Sequence, residues 1–410
     1  MAGSSAGSLR WVIGLPIFIA FTCCLILNAA SQLLEDSNPA LAATLNPLNT
    51  DARINVLVAS LNAGAAPLDQ LADEARSLVA QASADARGYS LVGAIEERRG
   101  NEAAAISSYA AALDRSRTER YALTRLLTLS LAGDDVATAT RYFDLLLRRW
   151  GEFAPEIAPL ANRFVAHPEG AAALRQALLK DPVWRAAVVR ELLASGPGTS
   201  FVAELLMTSD SRSRRWGDDL ASTIANLIRA GEPGEAYALF RQTLADEEVA
   251  LAGYVFDPGF TRPAGRRGFE WAAVNSSTVD ASLPAGSSVA GLRIRFLDSP
   301  AKLGRPVQTL YLPPGDYQLS STANGTALVL PKALYWRLGC TGRRDELARL
   351  ELPEGTYTAK TVTAAFSVPE DCALQSLSIE TGIATSSWRD RYGGEILITD
   401  VHVSRDEAGA

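Results

Sequence analysis

Residues 86–117 read ARGYSLVGAIEERRGNEAAAISSYAAALDRSR, and their spacing decides the first half of the chain. Tyr89, Gly93, Gly100, Ala105, Tyr109 and Ala112 follow a large, small, turn, small, aromatic, small order. In a helix hairpin, small residues let the two helices approach, an aromatic fills the gap beside the next hairpin, and glycine serves the turn or the tightest contact. The offsets return downstream. Ala139 and Phe143 fall 34 residues after Ala105 and Tyr109, and Gly231, Ala236 and Phe240 repeat the spacing of Gly100, Ala105 and Tyr109. A second copy, Arg120 to Leu147, has Leu127 in place of the small residue and Gly133-Asp134 at the turn. A third, Leu220 to Leu244, turns at Gly231-Glu232-Pro233-Gly234. Ala52 to Gln81 has helical periodicity with a turn at Gly64-Ala65-Ala66-Pro67 and follows the pattern more loosely.

This pattern resembles the tetratricopeptide-repeat family. The resemblance implies stacked hairpins over residues 31–250 that hold a protein partner and carry no chemistry. Gly93, Ala105, Tyr109, Ala139, Phe143, Ala236 and Phe240 are then the repeat-packing residues. The alternative is an ordinary Ala-rich helical bundle.

Trp11 to Leu27 carries no charge, and with Asn28-Ala29-Ala30 it reaches about 20 residues, near the length that crosses a bilayer. Arg10 precedes it, Glu35 and Asp36 follow, and the next basic residue is Arg53. Positive charge stays on the cytoplasmic side. The expectation is a single-pass inner-membrane anchor at 11–30, with residues 1–10 cytoplasmic and the bulk periplasmic. A signal peptide cleaved near Asn28-Ala29-Ala30 is the competing reading, but the apolar run is long for one and the cleavage motif is poor. A lipid anchor at Cys23 or Cys24 is disfavoured by Phe21 and Thr22, which are not the small residues such a site needs.

Near residue 250 the texture changes from Ala, Leu and Arg at helical spacing to short Thr/Ser/Val runs broken by Gly and Pro. Expected strands are 291–297, 307–312, 315–321, 326–330, 334–338, 355–365, 375–380 and 395–403. Alternation in GLRIRFL and YQLS fits a sheet with one buried face, and eight strands suit a two-sheet sandwich. Beyond the anchor only Cys340 and Cys372 remain. An even pair in an oxidising compartment, with no CxxC and no nearby histidine, reads as a disulfide, the alternative being two buried free thiols.

The order Phe256-x-Pro-Gly-Phe260, Phe269-Glu-Trp271, Gly291 to Phe296, Leu310 to Tyr317, Trp336 to Cys340 and Ile398 to Val403 resembles galactose-binding-type jelly rolls over residues 251–405. That resemblance implies a carbohydrate-binding-module-like domain, in a layout similar to proteins of bacterial exopolysaccharide and O-antigen biosynthesis. Sugar stacking needs aromatic faces with converging polar groups. The candidates are Trp388, Arg389, Asp390, Trp271 and Tyr311, with Trp336 also considered. For Trp271 and Trp336 the alternative is a place in the core.

Catalysis is poorly supplied. His167 and His402 form no local metal motif, no phosphate-cradling loop is present, and Gly3-Ser4-Ser5-Ala6-Gly7 follows no strand. Neither a metal nor a cofactor is expected. A net charge of -7 without a basic cluster argues against nucleic acid. The expected architecture is therefore multidomain α plus β: a transmembrane helix, a repeat domain, a jelly-roll sandwich and a tail at 406–410. The expected function is a non-enzymatic periplasmic scaffold that binds a protein through its repeats and a polysaccharide or its machinery through the sandwich. The alternative is a cell-envelope glycoside-processing enzyme with an accessory jelly roll.

Overall fold

The computed structural model describes residues 6–208, 216–272, 279–283, 290–303, 306–382 and 389–405, with side chains described from Phe18 onward except at 306 and 307. The chain is α plus β, an N-terminal helical part followed by antiparallel sheets. It forms two compact units, Met1–Arg185 and Ala186–Ala410.

The first unit contains α1 (Ala6–Leu34), α2 (Pro39–Leu45), α3 (Thr50–Ala63), α4 (Leu68–Gln81), α5 (Ala86–Arg98), α6 (Glu102–Arg115), α7 (Arg120–Ala132) and α8 (Val136–Arg149). A 3-10 turn at Gly151–Phe153 leads to α9 (Ala154–Ile157), α10 (Leu160–Val165) and α11 (Pro168–Leu179). The starts of α5 and α7, and of α6 and α8, are each 34 residues apart. Chain reversals use the left-handed region, with φ of 61° at Gly64, 79° at Gly100 and 58° at Asp134. Only glycine enters that region without steric cost, and aspartate does so more readily than most.

Ala105, Tyr109 and Ala112 of α6 are buried among Ala86, Ala122 and Leu126 of the flanking helices. Gly93 on α5 lies against the Tyr109 ring so closely that an added Cβ would stand 2.6 Å from its Cε1. The Tyr109 hydroxyl donates to Glu97 at 2.9 Å, and Arg125 of α7 donates to the same carboxylate through Nε at 3.1 Å and again through Nη2. Burial pushes the Glu97 carboxyl up, but the bonds from Arg125 and Tyr109 outweigh it, so it sits below the ordinary carboxylate range. One α5 side chain thus joins three helices. On α8, Ala139 and Phe143 are fully buried, and Phe143 meets Phe164 and Trp184 edge to face.

Among the described residues no helix is long and apolar enough to cross a membrane. Of the expected anchor at 11–30, the side chains of 11–17 lie outside the described residues. Within the described part of α1, Phe18, Ile19, Phe21, Leu25, Ile26 and Leu27 are all exposed.

The second unit begins at Ala186, within α12 (Arg185–Leu192), and continues with α13 (Gly196–Thr208), α14 (Gly217–Ala230), α15 (Pro233–Gln242) and α16 (Asp246–Val249). Gly231, at φ 85°, turns α14 into α15, whose Ala236 and Phe240 are buried. Among the described residues nine strands follow: β1 (Val279–Ser282), β2 (Leu292–Phe296), β3 (Pro306–Leu310), β4 (Gly315–Val329), β5 (Leu334–Cys340), β6 (Ala348–Leu352), β7 (Gly355–Val368), β8 (Gln375–Thr381) and β9 (Gly393–Arg405). They make one sheet ordered β1-β2-β9-β4-β7 and another ordered β3-β8-β5-β6. The pairs β2 with β9, β3 with β8, β4 with β7 and β5 with β6 are nested and antiparallel, like one long hairpin rolled over on itself. That nesting is a jelly roll, with β1 added at an edge.

Between the sheets Phe260, Trp271 and Trp336 pack together with the inward residues of both layers. Trp336 Nε1 donates across the sandwich to Ser321 Oγ at 3.1 Å, and Ser321 donates onward to the Asp400 carbonyl at 3.1 Å. The expected strands 315–321 and 326–330 are one continuous strand, β4. Asn324-Gly325 is a register shift rather than a break, because the Asn324 side chain accepts from the Ala359 amide and Gly325 admits the Tyr357 ring. β1 and β6 were not anticipated.

The α15 and α16 helices and the segment entering the sandwich share a core. Phe240 packs on Phe256 and Phe269, and Tyr237 packs on Phe269 and Tyr311. Buried Glu248 takes both guanidinium nitrogens of Arg267, at 3.1 and 2.7 Å, together with Arg262 at 2.8 Å.

Candidate functional site

The outward face of the four-stranded sheet carries a set of mixed polar and aromatic groups. Strand alternation generates it: Trp336 points into the core, so Tyr335 and Arg337 on either side of it point out. The register then lines up two rows. Glu380, Tyr335 and Glu351 lie side by side across β8, β5 and β6, and Ser378, Arg337 and Arg349 form the next row. The Arg349 guanidinium sits 3.7 Å from the centre of the Tyr335 ring. Tyr335 donates to Glu380 at 3.4 Å, and Ser378 donates to the other Glu380 oxygen at 2.9 Å. Burial raises the Tyr335 phenol, and the Glu380 charge raises it further.

One end of the patch is walled. The chain after β5 folds back over Gly339, where an added Cβ would meet the Asp345 carbonyl at 2.4 Å, and Arg337 donates to the Arg344 and Asp345 carbonyls at 3.1 and 3.2 Å. Cys340, at the end of β5, is joined to Cys372 by a disulfide with Cα atoms 5.5 Å apart. Arg343 and Asp371 meet at 2.7 Å across the same two loops, and the guanidinium holds the Asp371 carboxyl low. Two covalent and ionic ties therefore fix the wall beside the patch. Tyr335 and Ser378 are themselves buried, at 8% and 3% exposed, so the face presents the exposed Arg349 guanidinium and Glu351 carboxylate with the half-buried Arg337 and Glu380.

The residues singled out in the sequence for sugar contact do not converge. Trp271 is a correction: it is 2% exposed and donates its indole N–H to the Asp257 carbonyl at 2.8 Å, so it has no free face to stack on a sugar. Trp336 is fully buried as well. Tyr311 is half-buried, its ring tilted 36° against Tyr237 on α15 with centroids 5.2 Å apart. Trp388 lies outside the described residues, while Arg389 is exposed and Asp390 half-buried. The Asp390 charge helps to raise the Tyr392 phenol to about 12, behind the larger effect of burial. Tyr335, Arg337, Arg349, Ser378 and Glu380 were missed. The sequence signal was the YWRLG alternation, but aligning them required the pairing of β5 with β6 and β8.

In the helical part of the second unit, a cleft of about 440 Å³ opens between α13 and the α14–α15 turn. Thr199, Ser200, Asn226, Arg229, Glu232 and Glu235 supply its polar lining. Among the described residues no three His, Cys, Asp or Glu side chains form a group that could hold a metal ion.

No family model matches the chain, and no curated protein matches it. Solved structures with similarity include carbohydrate-binding modules. One, from the Cellvibrio mixtus lichenase 5A in complex with cellotriose, is 12% identical, covers 32% of this chain and 91% of its own, and has a TM-score of 0.23. A CBM4 structure is 17% identical over 37% of this chain and 99% of its own, at a TM-score of 0.27. TmCBM61 in complex with beta-1,4-galactotriose is 15% identical over 38% and 99%, at 0.26. Likenesses this distant carry no argument about ligand or activity, and the jelly roll stands on its own strand order.

Proposed function

We propose that this protein is a membrane-anchored, non-enzymatic recognition scaffold of the cell envelope whose jelly roll binds glycan through the outward face of the β8-β5-β6 layer. The observation that carries this reading is the pair of rows Glu380-Tyr335-Glu351 and Ser378-Arg337-Arg349. Sugar hydroxyls both donate and accept, and a surface that sets carboxylates and guanidinium groups side by side meets both needs. The hairpins act as tetratricopeptide-like repeats, with the Thr199–Glu235 cleft as a docking place for a protein partner. In this reading α1 anchors the chain in the inner membrane, the bulk is periplasmic, and the glycan is an exopolysaccharide or O-antigen in assembly.

The test is binding of the detergent-solubilised full chain to a glycan array that includes bacterial exopolysaccharide and O-antigen fragments. Arg349→Ala and Glu380→Gln should each weaken the strongest signal about tenfold, the effect expected where a charged hydrogen-bond partner worth about 1.5 kcal/mol is lost. Binding unchanged in both variants would exclude this face.

A further inference from the structure

The apolar helix α1 does not end in a loose tether. Its last turns are hydrogen-bonded into the first hairpin: Asn46 donates to Asn28 Oδ1 at 2.8 Å, Ser31 donates to the Ala42 carbonyl at 2.7 Å, and Asn49 donates to Ser31 at 2.9 Å and Glu35 at 3.2 Å. Asn55 on α3 donates to the Glu35 carbonyl at 3.0 Å. Since Asn46 meets Asn28 while Ala42 meets Ser31, α2 runs antiparallel to α1. The corner between α2 and α3 is therefore carried back along α1 to the level of Asn28 to Glu35, just past the end of the uncharged run Trp11–Leu27.

That corner is built like a membrane-contacting edge. Leu48 at its tip is 78% exposed, and Leu25 and Ile26 on α1 are 52% and 62% exposed. Behind the tip lies a cleft of about 470 Å³, lined by Pro47, Leu48, Arg53, Val56, Glu74 and Gln81 among others. Arg53 is the first basic residue after Arg10, and its guanidinium is steadied by Gln81 Oε1 at 2.5 Å. A cation beside an apolar tip at the level where an apolar helix ends matches the boundary between phospholipid headgroup and acyl chain.

From this geometry we infer that the α2–α3 corner is a phospholipid-binding site, taking a glycerophospholipid of the bilayer with Leu48 on its acyl chains, Arg53 on its phosphate and Glu74 toward an ethanolamine ammonium. The inference rests on the reading that α1 lies in a bilayer. It adds that the anchor is a rigid part of the helical unit and that the first hairpin sits on the membrane surface.

The experiment places the photo-crosslinker p-benzoylphenylalanine at Leu25, Leu48 or Ile106 of the full chain in vesicles of phosphatidylethanolamine with a minority of phosphatidylglycerol. Lipid adducts are read by mass spectrometry. Ile106 is the water-facing comparison, 39% exposed on α6. The expected result is adducts at 25 and, several-fold above the 106 background, at 48. Arg53→Glu should lower those at 48 several-fold and leave those at 25 unchanged. Adducts at 25 with only background at 48 would overturn the site while leaving the anchor standing. Adducts at neither position would remove the anchor and the site together, and adducts at 48 indifferent to Arg53→Glu would overturn the headgroup contact.

Discussion

Replacing Gly93 by alanine sets two opposed effects against each other. In the interior of α5, alanine is the better helix former by about 1 kcal/mol. The new Cβ, however, would lie 2.6 Å from Tyr109 Cε1, 2.7 Å from Cδ1 and 3.0 Å from Cζ, where carbon atoms ordinarily rest at about 3.5 to 4 Å. The ring cannot simply slide away. Tyr109 is fully buried, its hydroxyl is held by Glu97, and its ring meets Tyr121 edge to face at 6.0 Å. Forcing a shift of roughly 1 Å in such a site costs about 2 to 3 kcal/mol, the upper range for overpacking, so Gly93→Ala should lose about 1 to 2 kcal/mol net. The assay is hydrogen exchange of the full chain with mass spectrometry, read on peptides covering α5 and α6 under conditions where exchange reports opening free energy. Adding Tyr109→Leu should relieve the clash, so the double variant should lie closer to Tyr109→Leu alone than additivity predicts. An increase of about 1 kcal/mol in the opening free energy of Gly93→Ala would mean that helix propensity alone operates there, and the packing of α5 on α6 described above would be refuted.

Four further outcomes are expected. Ser321→Ala leaves the buried Trp336 indole N–H without its acceptor and should destabilise the sandwich by about 1 to 3 kcal/mol, measured by denaturant unfolding followed in the near-ultraviolet; an unchanged midpoint would contradict it. Replacing both Cys340 and Cys372 by serine opens a link between residues 32 apart in sequence and should lower stability by about 3 to 4 kcal/mol, which the same titration under non-reducing conditions would read. Burial raises the Glu248 carboxyl, yet Arg267, the Ala245 amide and Arg262 together hold it below its ordinary value. Its contribution should therefore be present above about pH 4.3 and be lost as pH falls through the lower folded value, and Glu248→Gln should flatten that acid limb; a parallel acid profile would dismiss the pairing. A reporter active only in the periplasm, fused after Ala410, should be active, and activity confined to a cytoplasmic reporter would invert the proposed topology.

The sequence by itself determined the helix-to-strand change near residue 250 and the outlines of most strands, and it pointed to Cys340 and Cys372 as a pair while leaving free thiols open. These are local matters: periodicity, turn chemistry and a count of two cysteines. It also placed the turns at Gly64, Gly100 and Gly231, because only a residue without a Cβ reverses a helix at φ near +60° to +85° without steric cost. Tertiary structure decided the rest. Asn324-Gly325 looks like a break, but β4 runs through it since β7 and β9 pair on both flanks and their ladder outweighs the local preference. Trp271 looks like a sugar platform, yet the Asp257 carbonyl and the Phe260 ring claim it for the core. The rows containing Tyr335 and Arg337 depend on partners 45 and 41 positions later, Glu380 and Ser378, and on Arg349 and Glu351 from a strand that carries no strong signal of its own. Such a surface is invisible along the chain because register, which sets who stands beside whom, is fixed only when the sandwich closes and each inward side chain finds its place.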